Sequence, residues 1–298
     1  MKRLIYLFII LFHSWLYCYA ESGQRISVLD FGAIPDDGLD DSENIRKACE
    51  YCRDNKSTVL FFPPGLYNFR DSLALQIERE AISGVYGENV QGRLFKPDAP
   101  YVKALDLFGA ENLVVEAEGA ILLLEGWYEV VSIDKAREVT IKGLSIVYRR
   151  PPNTVGKITK LNEGSFDMQI DPERYFYLDK DVTGRVHYVD AMRERLYTGG
   201  RVSGKELLSK DMIRIYTDFR PSTGDFCVLR HSGHYRPAIM IKESSDIYIE
   251  GVKIHSQPGM GVVGHLSENI TLENLQVIPE AGMIISTNTD ATHFTSCK

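Results

Sequence analysis

At 298 residues and 44% hydrophobic content, the chain can bury a substantial core as one or two domains, which excludes disorder as its general state. A formal net charge of −7 suits neither nucleic acid nor an anionic membrane surface. Five cysteines are too sparse for a disulfide scaffold.

Residues 1–20 read as a secretory signal, with Lys2 and Arg3, an apolar run from Leu4 through Phe12, and the small Ala20 before Glu21. The run is too short for a membrane span, which needs about 20 apolar residues. Tyr17 stands where a lipoprotein signal at Cys18 wants a small residue, so cleavage after Ala20 is expected. That cleavage removes two positive charges and no negative ones, moves the net charge from −7 to −9, and leaves Cys49, Cys52, Cys227 and Cys297. A periplasmic or secreted protein with no membrane contact is expected.

From Ile26 to Phe69 the order is a strand (ISVLDFGA), an acidic turn (PDDGLDD), a helix, a strand (TVLFF) and a turn (PPGLY). Asp40 precedes Glu43 by three residues, the spacing of a capping box. Ile45, Ala48, Cys49 and Cys52 then fall on one helical face, so burial explains the two cysteines better than a redox or metal role. Asp36, Asp37, Asp40 and Asp41 are read as turn formers and helix caps rather than a cation site.

Four later stretches share one template: Asn112 to Glu116, Glu138 to Ile146, Asp246 to Ile254 and Asn269 to Val277. Each opens on a polar residue and continues with alternating apolar residues. The three longer copies add a Gly or Asn corner and a second short strand. The first two copies start 26 residues apart and the last two 23 apart, a period that belongs to a solenoid of stacked coils. Between Tyr148 and about Asp225 the template gives way to polar turns and short alternating stretches (KITKL, FDMQI, RVHYV, MIRIY), read as a small inserted all-β, barrel-like domain. The expected division is 1–20 signal, 21–148 cap and first coils, 149–225 insertion and 226–298 further coils.

At the C-terminal end Val262, Val263, Gly264 and His265 align at an offset of 22 with Ile284, Ile285, Ser286 and Thr287. On that register NTDATHF places Asp290 and His293 just beyond a strand end. An aspartate there is available for chemistry, although an ordinary turn residue has the same spacing. Sugars are held by hydrogen bonds and by stacking on aromatic faces, which makes His234, Tyr235, Arg236, His265 and His293 the candidate substrate-binding residues around Asp290. Arg230 and His231 are equally polar and are read as facing inward or into the insertion.

The order FGA, DDG, amphipathic helix and FFPPGLY resembles the N-terminal opening of the pectate-lyase-like right-handed β-helix superfamily, where a helix covers the open end of the first coil. LRHSGHYRPA (Leu229 to Ala238), HSQPGMGVVGH (His255 to His265) and STNTDATHFTSC (Ser286 to Cys297) together resemble glycoside hydrolase family 110. The resemblance implies an all-β fold: a right-handed parallel β-helix with an N-terminal capping helix and an inserted small β-barrel. It also implies an exo-acting α-1,3-galactosidase that inverts, acts on a glycan with terminal α-galactose, and uses no cofactor and no metal. The family's active-site aspartate in TDATHF carries over to Asp290.

Inverting hydrolysis needs two carboxyl groups about 6.5–9.5 Å apart, between one and two coil rises of about 4.8 Å. The family's other principal acids lie about one coil beyond TDATHF. The chain stops at Lys298, so an N-terminal fragment with an incomplete catalytic set and an exposed, aggregation-prone coil edge is expected. Two further readings stay open: a non-catalytic carbohydrate-binding or adhesive β-helix, and a polysaccharide lyase, which needs Ca²⁺ held by several carboxylates.

Overall fold

The computed structural model describes residues 23–87, 89–96, 98–175, 182–192, 195–198, 202–231, 235–280, 283–287 and 289–298. The expected signal, residues 1–20, and His234 lie outside these residues.

Three parallel sheets run the length of a β-helix, and each coil contributes one strand to a sheet. The first sheet stacks Gln24–Ser27, Thr58–Phe61, Glu111–Glu116, Arg137–Lys142, Ser245–Glu250 and Glu268–Glu273. The second stacks Gly65–Phe69, Ala120–Leu124, Ser145–Tyr148, Lys253–Ile254 and Gln276–Val277. The third stacks Val102–Asp106, Tyr128–Asp134, Ile239–Lys242, Val262–His265 and Thr292–Thr295. All pairings within these sheets are parallel.

Alternation decides which side chains enter the coil, because successive residues of a strand point to opposite faces. In the first sheet Ile26, Leu60, Val115, Ile141, Ile249 and Leu272 stand directly above one another. The first five are at most 8% exposed. Burying such a side chain contributes roughly 1.5–3 kcal/mol, so this column is a main source of cohesion.

The polar residue that opens each template copy turns the corner. Asn112, Glu138, Asp246 and Asn269 have φ of 53°, 56°, 59° and 54°, the left-handed region that costs an L-residue about 1–2 kcal/mol and that Asn and Asp tolerate best. Ser57, one coil earlier, has φ 59°. Asn112 Nδ2 donates to Ser57 Oγ at 2.9 Å, and Asn269 Nδ2 donates to Asp246 Oδ1 at 2.9 Å, so neighbouring corners are tied together.

Helix α1 (Ser42–Asp54) lays Ile45, Ala48, Cys49 and Cys52 onto the core. Burial pushes the Cys49 thiol upward and the Cys52 thiol to about 12, so both behave as small apolar groups. The expected capping box does not form: the N-cap is Asp41, which makes no capping side-chain bond. Asp40 instead accepts the N–H groups of Ser42 and Arg70, and Asp41 those of Ile34 and Asn68. Glu43 pairs with Arg46 and Lys47. These acids anchor the turn to the Gly65–Phe69 strand, where backbone donors outcompete the first helical turn. A second helix, α2 (Ser72–Ile82), starts at Asp71, whose carboxylate accepts from Leu73 and Ala74 N–H, and buries Ala74, Ile77 and Ala81.

The coil ladder passes directly from Val131 to Ile239 and from Val139 to Ile247, so the residues between form an excursion. Seven antiparallel strands build it, in the order Arg195–Thr198, Val182–Asp190, Phe226–His231, Asn153–Asn162, Ser165–Ile170, Met212–Thr217 and Val202–Ser209. Among the described residues this order has two ends. Ile158, Phe166, Met168, Ile213, Ile215 and Leu229 give the insertion a core of its own. Phe226–His231 belongs to this sheet, so the excursion runs past the expected boundary at residue 225.

The register expected at the C-terminal end is corrected. Val262 pairs with Thr292, Val263 with His293, Gly264 with Phe294 and His265 with Thr295, and a bridge joins Gln257 to Thr287. The offset is 30 rather than 22. Met283, Ile284 and Ile285 pack against the base of the insertion, with Val155, Tyr175 and Val228, which diverts the chain before it rejoins the ladder.

Candidate active site

The outward positions of the third sheet form two rows: Asp106, Ser132, Met240, Val263 and His293, then Asp134, Lys242, His265 and Thr295. Inward positions of the same strands, Val131, Ile133, Ile239, Ile241 and Val262, are fully buried.

Asp290 stands two residues before the Thr292–Thr295 strand, and His293 stands within it. Asp290 Oδ2 lies 3.2 Å from His293 Nδ1, with the side chains 55% and 44% exposed. A pair this open contributes under about 1 kcal/mol to stability, so its chemistry faces solvent rather than holding the fold. One rung above, His265 Nδ1 lies 2.9 Å from Thr295 Oγ1. Asp290, His293 and His265 thus lie on the last two rungs of the third sheet.

Further up, Lys242 Nζ lies 3.8 Å from Asp134 and 3.2 Å from Glu243, and Lys103 Nζ lies 3.0 Å from Asp106. Charges of both signs stand along these rows. Arg236 lies in the segment just before the Ile239–Lys242 strand. The guanidinium sits 3.5 Å over the Tyr101 ring, 3.6 Å from Glu129, and donates to the Leu94 carbonyl at 3.2 Å. Burial raises the Glu129 carboxyl, opposed by Ser132 and by the positive charges of Arg236 and Lys103. Arg236 thus anchors the segment around Tyr101.

Tyr235 corrects an expectation. Its ring is 1% exposed and stacked on Trp127, with centroids 4.3 Å apart. Its hydroxyl donates to Glu78 of α2, and Arg150 Nη1 donates to that hydroxyl at 3.3 Å. Burial pushes the Glu78 carboxyl up. In this chain the ring ties helix α2 to the coils instead of meeting a sugar. His231 is buried between Thr154 and the Pro151 carbonyl, an inward placement.

Gln257 was absent from the sequence candidates. It is fully buried between the segment carrying Tyr235 and Arg236 and the segment leading to Asp290. The available signal was the motif HSQPGMG, whose Pro and two Gly break strand alternation beside a polar residue.

No family model matches the chain. Curated relatives do match. The chain is 24% identical over 302 residues to α-1,3-galactosidase B of Bacteroides thetaiotaomicron, covering 93% of this chain and 47% of the relative. It is 23% identical over 304 residues to α-1,3-galactosidase A of Shewanella woodyi, with 92% and 47% covered. For α-1,3-galactosidase B of Phocaeicola vulgatus the values are 25% over 332 residues, with 100% and 51% covered.

The chain therefore resembles the α-1,3-galactosidase family over nearly its whole length, and it spans about half the length of these relatives. Among solved structures, a Yersinia enterocolitica family 28 exopolygalacturonase aligns with a TM-score of 0.39 at 11% identity, over 92% of this chain and 42% of that one. The Streptococcus pneumoniae surface adhesin PfbA aligns with a TM-score of 0.36 at 13% identity, over 92% and 48%. The fold assignment rests on the strand pairing described above.

Proposed function

We propose that this chain contributes part of an exo-acting glycoside hydrolase that removes terminal α-1,3-linked galactose with inversion, and that Asp290 is a carboxylate of its active site. The observation that carries the reading is the solvent-facing Asp290–His293 pair at the end of the outer row, inside the motif that resembles family 110. His265 and His293 offer hydrogen bonds to sugar hydroxyls, and His234, beside the buried Tyr235, keeps its proposed part in binding. The coil is read as right-handed, the hand taken by nearly all parallel crossovers. Residues 1–20 are read as an export signal, which puts the substrate outside the cytoplasm.

Inversion needs a second carboxyl group about 6.5–9.5 Å away. Up the described outer rows, Asp134 stands three rungs from Thr295, about 14 Å at the sheet spacing, too far for that role. Asp106, one rung further again from that end, is excluded on the same ground. This same distance favours a second reading of the chain taken alone, a carbohydrate-binding β-helix that holds sugar without turnover.

Release of galactose from Gal-α-1,3-Gal, with the anomer read by NMR, tests hydrolysis and inversion together. In a chain extended through the further coils, Asp290→Asn is expected to lower turnover by about 10²-fold or more, as for loss of an acid–base group, with sugar binding kept. Normal turnover in that variant removes Asp290 from the mechanism. Calorimetric binding without release supports the binding reading, and a chelator-sensitive rise in absorbance from unsaturated uronides supports a lyase.

A further inference from the structure

The segment His255–Gly261 is a rung without a strand. Above it Tyr235 N–H donates to the Pro258 carbonyl at 3.3 Å and Ala238 N–H to that of Met260 at 3.0 Å. Below it Gln257 N–H donates to the Ser286 carbonyl at 2.7 Å and Gly261 N–H to that of Asp290 at 2.9 Å. The approach is close on both sides. A Cβ at Gly259 would lie 2.3 Å from the Tyr235 carbonyl oxygen, and one at Gly261 would lie 2.3 Å from that of Ala291. Gly261 bonds to both neighbours through its backbone, and Gln257 does so with the help of a side chain: its Nε2 donates upward to the Arg236 carbonyl at 2.7 Å while its backbone N–H donates downward.

We propose that Gln257 is a positioning residue, which fixes the Asp290 segment against the segment that carries Tyr235 and Arg236 and so sets how Asp290 is presented to a sugar. The inference rests on the reading of Asp290 as an active-site carboxylate. Gln257 is fully buried, so it acts through the two segments and not by contact with substrate. Loss of its amide leaves the part-buried Arg236 carbonyl without that donor.

The test uses Gln257→Glu and Gln257→Met in the full chain. Burial favours the protonated form of the introduced carboxyl, so the carboxylate that opposes the Arg236 carbonyl is reached at alkaline pH, where affinity for Gal-α-1,3-Gal is expected to fall about tenfold, the scale of one acceptor left unpaired. A protonated carboxyl donates as the amide did, so the affinity ratio of variant to parent is expected to return toward one as pH falls. Taking the ratio cancels any pH dependence that both proteins share. A ratio that is one throughout, or depressed but flat with pH, overturns the proposal.

A second readout needs no sugar. In Gln257→Met, hydrogen exchange at the Gly261 and Val262 amides, which donate to the Asp290 and Ala291 carbonyls, is expected to quicken by about tenfold for a lost buried bond. The Ile247 and Ile249 amides are expected to stay at the parental rate. Parental exchange at Gly261 and Val262 overturns the coupling. If those amides respond while the parent binds no sugar, the failure falls on the galactosidase reading and the coupling through Gln257 stands.

Discussion

Two rungs of the first sheet, Ser245–Glu250 and Glu268–Glu273, follow one template and differ in what lies beyond them. Ile247 and Ile249 are 1% and 0% exposed, with neighbours stacked on both sides. Ile270 and Leu272 occupy the same two columns and remain only partly buried. The template thus sets where a side chain points, while stacking on both sides sets how much water it loses. The half-packed rung belongs to the same coil end that carries Asp290 and His293.

The largest expected effect breaks that comparison directly. Ile249→Ala is expected to cost about 2–5 kcal/mol, the range for a large-to-small change in a packed core. Leu272→Ala is expected to cost less than half of that, about 1 kcal/mol, because its surroundings already admit water. Urea denaturation of both variants at one pH checks the difference. Equal losses would mean that Leu272 is covered in solution, by a partner or by further coil.

Much of this contrast was legible in the sequence, and the reason is periodicity. Leu113, Val115, Val139, Ile141, Ile247 and Ile249 announce a coil because a period of two is stated within a few residues. The face of α1 was equally plain from Ile45, Ala48, Cys49 and Cys52. What escaped were contacts between distant segments. Ile284 and Ile285 look like a coil strand, yet their partners are insertion residues more than a hundred positions earlier or about 55 away, Val155 and Val228. Tyr235 lies in a polar stretch, and only Trp127 and Glu78 make its burial intelligible. Asp290 was legible through the motif around it, and its neighbour His293 came with it. The role of Gln257 depends on two segments that flank it in space, which no local pattern reports.

Gly264 sharpens the comparison at the boundary between packed and half-packed coil. It faces inward, and a Cβ there would lie 2.3 Å from the Phe294 ring one rung below. Gly264→Ala is expected to push that ring outward and cost about 1–3 kcal/mol, as overpacking does. His293 is next to Phe294 in the same strand, so sugar affinity should fall along with stability. A variant with parental affinity and a shifted unfolding midpoint would separate the last strand from the site.

The smallest effect concerns the corners, where interior and terminal coils behave alike. Glu138 holds φ 56° with a side chain about half exposed, and its partner Arg137 stands 3.6 Å away at the surface. An ion pair of that kind contributes under about 1 kcal/mol, so little is lost when it is removed. Glu138→Gly relieves a left-handed strain of about 1–2 kcal/mol and adds unfolded-chain entropy that opposes it by about 0.4–1 kcal/mol. A net gain of about 0.5 kcal/mol is expected from these two terms, read as a small rise in denaturation midpoint at unchanged slope. A loss instead would show that the corner is held by more than its backbone angle, with the Glu138 side chain itself stacking in the ladder that joins Asn112 to Asp246.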